Sequence, residues 1–205
     1  INEAKNANIK KFTIVLGFNA KFLRKKLKNV KNIDFLLNKK FETTEMLYSM
    51  ILAIKKYNSD LIISYSDILF DKQILIKLLK SKKNNIMIPI LRNWKKVWKI
   101  RNKDPLEDGE TLLLDNKKNL KSIGEKIKQL KDIKYQYMGI IFIPKFQRKK
   151  VLSAYQKINK NKKMHASNFL SYLLKKNFII NTIVENSKWY EFDDYEDYLN
   201  YKKIN

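Results

Sequence analysis

Apolar and polar positions change period repeatedly along this 205-residue chain. Residues 9–18, Ile-Lys-Lys-Phe-Thr-Ile-Val-Leu-Gly-Phe, make a short β-branched run closed by Gly17, which predicts a buried strand. A helical stretch over 19–28 follows, and 33–37 reads as a second strand. Thr43-Thr44-Glu45 then stands as the cap of a helix over 46–57, with Met46, Met50, Ile51 and Ile54 on one face. Residues 61–65 predict a third buried strand, ending at Ser66-Asp67 before an amphipathic helix over 71–80. Three strand–helix units in succession predict an α/β fold with a mostly parallel central sheet and helices on both faces.

The second half is less regular. Residues 85–91 predict a fourth strand, followed by the aromatic and basic stretch 94–101 and a turn-rich Asp104-Pro105-Leu106-Glu107-Asp108-Gly109-Glu110. Residues 111–114 and 120–123 can pair as antiparallel strands around Asp115-Asn116. A strand lies within 136–144, helices over 146–159 and 166–175, strands over 179–184 and 189–192, and an acid-capped helix over 194–202 closes the chain. No repeat, linker or break in composition divides it, so a single domain over 1–205 is expected.

Composition narrows the chemistry. The chain has no cysteine and one histidine, His165, which excludes a disulfide framework, a thiol nucleophile and a histidine-cluster metal site. Carboxylates, lysines, hydroxyls and an added metal ion remain. No apolar stretch reaches membrane-spanning length, and the expectation is a soluble, cytoplasmic protein without a membrane partner. The formal charge of +24 suggests nucleic acid or an anionic surface. Yet only four of the 44 basic residues are arginine (Arg24, Arg92, Arg101, Arg148), and the lysines are spread evenly with Asn and Ile. A nucleic-acid reader concentrates charge and uses arginine forks, so compositional bias is the favoured explanation and a nucleic-acid partner is not expected.

Four groups of residues could carry function. Asp67 follows the carboxyl end of a buried strand, the edge where open α/β sheets bind ligands, and a carboxylate there suits Mg²⁺; it could equally cap the next helix. Glu191 and Asp193 lie two apart on an extended segment and share a face, a geometry that grips a cation or merely forms a solvated acidic turn; Asp194 points away or caps the last helix. Trp94 and Trp98, with Arg101, could stack bases, wall a small-molecule pocket or serve as packing anchors. His165 fits a surface or capping position.

Six blocks in order resemble one family. They are Thr43-Thr44-Glu45-Met46-Leu47-Tyr48-Ser49, Ile62-Ile63-Ser64-Tyr65-Ser66-Asp67-Ile68, the stretch from Trp94 through Trp98, Arg101 and Asp104-Pro105 to Thr111, Ile123-Gly124, Gln136-Tyr137-Met138-Gly139 and Trp189-Tyr190-Glu191-Phe192-Asp193. The order and spacing are similar to the small nucleotidyltransferases of the phosphocholine cytidylyltransferase type, which include the 2-aminoethylphosphonate cytidylyltransferases. The resemblance implies a Rossmann-like nucleotidyltransferase fold and a nucleoside triphosphate donor, CTP above the others. It implies Mg²⁺ held by Asp67, Glu191 and Asp193, with Asp67 and Asp193 catalytic. It implies an acceptor that is a small phosphorylated alcohol or phosphonate, met by Trp94, Trp98, Arg101 and Tyr137, with pyrophosphate released. Such a transfer needs positioning and charge neutralisation more than acid or base, in keeping with a chain without usable histidine or cysteine pairs.

The chain departs from the family in two places. It has no glycine-rich nucleotide loop, and its four glycines (Gly17, Gly109, Gly124, Gly139) are scattered. It also opens inside what resembles the helix before the family's second strand, so a missing N-terminal strand and loop are expected, with weak nucleotide binding by these 205 residues alone. Glu45 stands where the family commonly has Asn; its carboxylate repels an acceptor phosphate and attracts an ammonium, which bears on acceptor identity. A homodimer or a fusion to another enzyme domain fits the pattern. The alternatives are a non-catalytic basic module for nucleic acid or an anionic surface, and a degenerate transferase that only binds.

Overall fold

The structure, a computed structural model, describes residues 1–81, 84–101, 103–158 and 163–204, without the side chain of Asp108. Its elements are α1 (Asn2–Asn6), β1 (Phe12–Leu16), α2 (Ala20–Leu27), β2 (Ile33–Leu37), α3 (Met46–Lys56), β3 (Leu61–Ser64), β4 (Ile68–Phe70) and α4 (Lys72–Lys80). Then come β5 (Ile86–Leu91), α5 (Trp94–Arg101), α6 (Pro105–Asp108), β6 (Glu110–Leu114), β7 (Leu120–Lys126), β8 (Gln136–Tyr137), β9 (Ile140–Ile143), α7 (Arg148–Ile158), α8 (Ala166–Lys175), β10 (Ile180–Glu185), β11 (Trp189–Glu191) and α9 (Tyr195–Lys202). Every predicted helix and strand is present, though the predicted end of one helix at Asn159 lies outside the described residues. Several short elements escaped the sequence patterns, among them α1, β4, α6 and the division of the 136–144 strand into β8 and β9. β4 has three residues, too few to show a period, and α6 is a single turn that Asp104 caps through Leu106 N at 2.9 Å.

The central sheet runs in the order β10-β5-β9-β3, with β8 added alongside β5. β10 and β5 are parallel, but β9 is antiparallel to both β5 and β3. The sheet is therefore mixed, which corrects the expectation of a mostly parallel one. β3, β5 and β10 do share a direction, and β9 is inserted against them. Its four residues, Ile-Ile-Phe-Ile, are buried on both sides, and a run without alternation reads the same in either direction. Pro89, inside β5, has no N–H to offer, and the ladder there breaks between the Met87–Phe142 and Ile90–Tyr137 pairs. β1 and β2 form a separate parallel pair, and β6 and β7 an antiparallel hairpin.

Side-chain alternation along β5 separates two cores. Ile86, Ile88 and Ile90 pack with α3, α7 and α8. Met87 and Leu91 face the other way, with Ile74 and Leu78 of α4, Trp94, Val97 and Trp98 of α5, and Trp189. Helices thus cover both faces, as predicted. No helix among the described residues is long and apolar enough to cross a membrane.

Candidate active site

Asp67 lies just beyond the carboxyl end of β3, and the small β4–β11 ladder decides what it faces. That ladder pairs Trp189 with Phe70, Tyr190 with Leu69 and Glu191 with Ile68, and Phe192 N donates to Asp67 O at 2.9 Å. Segments 67–70 and 189–193, far apart in sequence, are thereby laid side by side. Asp67 does not cap the helix that follows. Asp71 does, accepting Gln73 N at 2.8 Å, while the Asp67 side chain stays solvent-accessible. Partial desolvation, and after it the charge of Asp193, pushes the Asp67 carboxyl above its ordinary range. That second cause agrees with the backbone pairing, which lays the segment of Asp193 beside that of Asp67.

Asp193 and Glu191 are met on their other side by Arg101, buried at 3% exposure. The Arg101 guanidinium pairs with Asp193, stands 3.6 Å from Glu191 and donates from Nε to Asp197 at 3.2 Å. Lys103 bridges Asp194 and Asp197 at 2.8 and 2.9 Å. Burial opposes the charge on Asp197, yet hydrogen bonds from Lys103, the Asp193 amide and Arg101 hold its carboxyl low. Asp194 caps α9 by accepting Asp197 N at 2.9 Å, the capping role expected for it.

A carboxylate trio for a metal is not what the chain assembles: among the described residues no group of three His, Cys, Asp or Glu side chains could hold an ion. Glu191 is turned towards Arg101 and leaves the Asp67–Asp193 pair. This corrects the three-ligand expectation, and the pair still fits Mg²⁺, which commonly takes one or two carboxylates and completes its shell with water and substrate phosphates.

The expected acceptor residues divide. Trp94 and Trp98, at 3% and 4% exposure, pack in the core, and they also line a surface cavity with Lys95, Lys99, Lys103, Pro105 and Leu130. Trp98 Nε1 bonds Gln136 Oε1, and one indole face lies under Arg101, 4.9 Å from the ring centroid. Arg101, expected to meet the acceptor, has its donors committed to carboxylates. Tyr137 meets Tyr65 edge-to-face at 5.8 Å. Burial raises both phenols, and the negative charges of Glu110 and Glu191 raise them further. Gly139 makes room for this pair. Its φ is +70°, and a Cβ there would stand 2.8 Å from Tyr65 Cγ.

Glu45 precedes α3 and makes no side-chain capping bond, nor, among the described residues, does a hydrogen bond or ion pair join it to the acidic loop. The Thr43-Thr44 turn is held instead by buried Asn38, which donates to Thr44 Oγ1 and Ser49 Oγ at 3.1 Å each and accepts Lys40 N at 2.8 Å. His165 is exposed just before α8 and makes no side-chain capping bond, so of the two expected positions it takes the surface one. Sequence reasoning overlooked Tyr65, Lys103, Glu110 and Asp197. Asp197 carried a visible signal, an acid four residues after Asp193 in the first turn of a helix, but that pattern also marks an ordinary helix start.

No family model matches the chain. The CTP:phosphoglutamine cytidylyltransferase of Campylobacter jejuni is 28% identical over 211 residues, spanning 96% of this chain and 83% of that protein. Among solved structures, the inositol-1-phosphate CTP transferase of T. maritima superposes with a TM-score of 0.75 at 20% identity, covering 98% of this chain and 80% of that one. The CTP:phosphocholine cytidylyltransferase of Streptococcus pneumoniae gives 0.72 at 16% identity, covering 100% and 82%. The two structures establish that this chain has the nucleotidyltransferase fold, and a cytidylyltransferase aligns with it over almost its whole length.

Proposed function

We propose that this chain catalyses Mg²⁺-dependent transfer of a cytidylyl group from CTP to a small acceptor bearing both a phosphate or phosphonate and a cationic nitrogen. The observation that supports the reading is the β4–β11 ladder, which lays the segments of Asp67 and Asp193, some 126 residues apart, side by side at the carboxyl end of β3. Asp67 and Asp193 would hold the cation, whose contribution when bound is to neutralise charge on the triphosphate. An acceptor oxygen attacks the α-phosphorus, the bond to the bridging oxygen breaks, and pyrophosphate leaves. The chain's own share is positioning and electrostatics.

The acceptor's cationic nitrogen is argued from the corner formed by Tyr65 and Tyr137. Two aromatic rings under the negative potential of Glu110 and Glu191 suit an ammonium group. Phosphocholine and 2-aminoethylphosphonate carry such a nitrogen. The Campylobacter jejuni relative is named for phosphoglutamine, which adds a phosphorylated amino-acid amide to the acceptors worth trying.

The test is pyrophosphate release by the purified full-length protein, with CTP, UTP, ATP or GTP offered against these three acceptors and against an inositol phosphate, which has no nitrogen. Turnover should require a divalent cation and CTP, and fall to background in Asp67→Asn. The reading fails if no pair turns over, or if turnover survives that substitution. Salt-sensitive binding to nucleic acid that ignores Asp67 and Asp193 would support the basic-module alternative instead.

A further inference from the structure

Arg101 is one of four arginines in a chain with 44 basic residues, and its side chain is spent almost wholly inside the protein. One face of the guanidinium lies over the Trp98 ring at 4.9 Å. Nε and NH2 donate to the two oxygens of Asp197 at 3.2 and 3.3 Å, NH2 also bonds Asp193 Oδ2, and NH1 approaches Glu191 at 3.6 Å. Its carbonyl accepts Asn200 Nδ2 at 3.2 Å, and Asp193 N donates to Asp197 Oδ2 at 2.9 Å. Arg101 therefore joins the end of α5, the start of α9 and the loop between β11 and α9. An acceptor phosphate would find little surface on it and its donors already engaged.

We propose that Arg101 is the positioning residue of the cation site. By engaging Asp193 through Oδ2 it would leave Oδ1 to a cation shared with Asp67, and by pairing with Glu191 it would keep that carboxylate from the cation. This rests on the Asp67–Asp193 site proposed above. The work needs a planar fork: a lysine keeps the charge but, as a point donor, cannot address three carboxylates at fixed angles. Partners that orient a metal's ligands typically alter its affinity by about 10- to 100-fold when removed.

The test is a calorimetric titration of the purified protein with MnCl₂ alone, comparing wild type with Asp67→Asn, Arg101→Lys, Arg101→Gln and Asp197→Asn. Circular dichroism and Tm report the structural cost separately. Arg101→Lys should bind Mn²⁺ about 10- to 100-fold more weakly despite its conserved charge. Asp197→Asn, which removes one anchor of the guanidinium and no proposed ligand, should weaken binding by a smaller factor. Wild-type affinity in both variants overturns the proposal, and so does tighter binding by Arg101→Gln, because Arg101 would then be a competitor of the cation. If Arg101→Lys does not fold, Asp197→Asn decides. Mn²⁺ affinity unchanged in Asp67→Asn defeats the cation site itself, a result distinguishable from failure of Arg101 alone.

Discussion

The layer of β1, α2 and β2 and the sheet around β5 and β9 use similar residues in opposite ways. All six residues of β5 and all four of β9 are buried. α2 has no buried residue at all, and in β1 and β2 only Leu16 is fully covered. Phe18 and Phe22 stand 74% and 55% exposed at a helix whose apolar residues are as periodic as those of α4. Periodicity, then, marks a helix without saying what covers it. Opening free energy follows coverage, so the two layers should differ in local stability far more than their patterns differ.

Amide hydrogen exchange should show the largest contrast, with the amides of β5 and β9 about a thousand-fold slower than those of α2, because the former open only in global unfolding. Equal protection would break the comparison. In denaturant titrations, Phe142→Ala in β9 should cost about 3–5 kcal/mol, whereas Phe22→Ser in α2 should stay within about 0.5 kcal/mol. Arginine sharpens the same contrast. Arg148, nearly buried, donates to Ile54 O from Nε and NH2 at 3.0 and 2.6 Å and to Asn58 Oδ1 at 2.8 Å, closing the end of α3. Arg148→Lys should cost about 1–3 kcal/mol by leaving that carbonyl and amide underserved. Arg24 only lies over Phe35 at 5.1 Å in the exposed layer, and Arg24→Lys should cost less than about 1 kcal/mol.

The smallest expected effect is pH-dependent. Lys103 and backbone donors hold Asp194 low, and Asp197 is held low against its burial. A depressed folded-state carboxyl contributes stability that is present above its unfolded value of about 3.9 and is lost as pH falls through the folded value. Below about pH 4, α9 should loosen before the β5–β9 core, seen as earlier fluorescence change at Trp98, which underlies Arg101, than loss of far-UV dichroism. Asp67 has the opposite sign. Its raised carboxyl loses its proton later, so cation binding should strengthen with pH over a range above that of an ordinary aspartate.

Much of the architecture was legible from local pattern. Strand and helix positions, the α9 cap at Asp194 and the placement of Asp67 beyond a strand end depend on the side chains of a few neighbours, and neighbours are what a sequence displays. The direction of β9 was not legible, because four buried apolar residues in a row carry no mark of orientation. Nor was the burial of the tryptophans. Spacing at i, i+4 put Trp94 and Trp98 on one face of α5 without saying whether that face met a ligand or Leu91 and Phe142.

The sequence by itself determined the elements, a motif order that resembles the small nucleotidyltransferases, and the exclusion of thiol and histidine-cluster chemistry, since these 205 residues include no cysteine and one histidine. The tertiary structure decided which carboxylates meet. Glu191, Asp193 and Asp197 are equally acidic in the sequence, and only the β4–β11 ladder and the packing of α5 against α9 lay Asp193 beside the segment of Asp67 while Arg101 pairs with all three. Partner choice among charges depends on distances of a few ångströms between distant segments, and such distances exist only once the chain has folded.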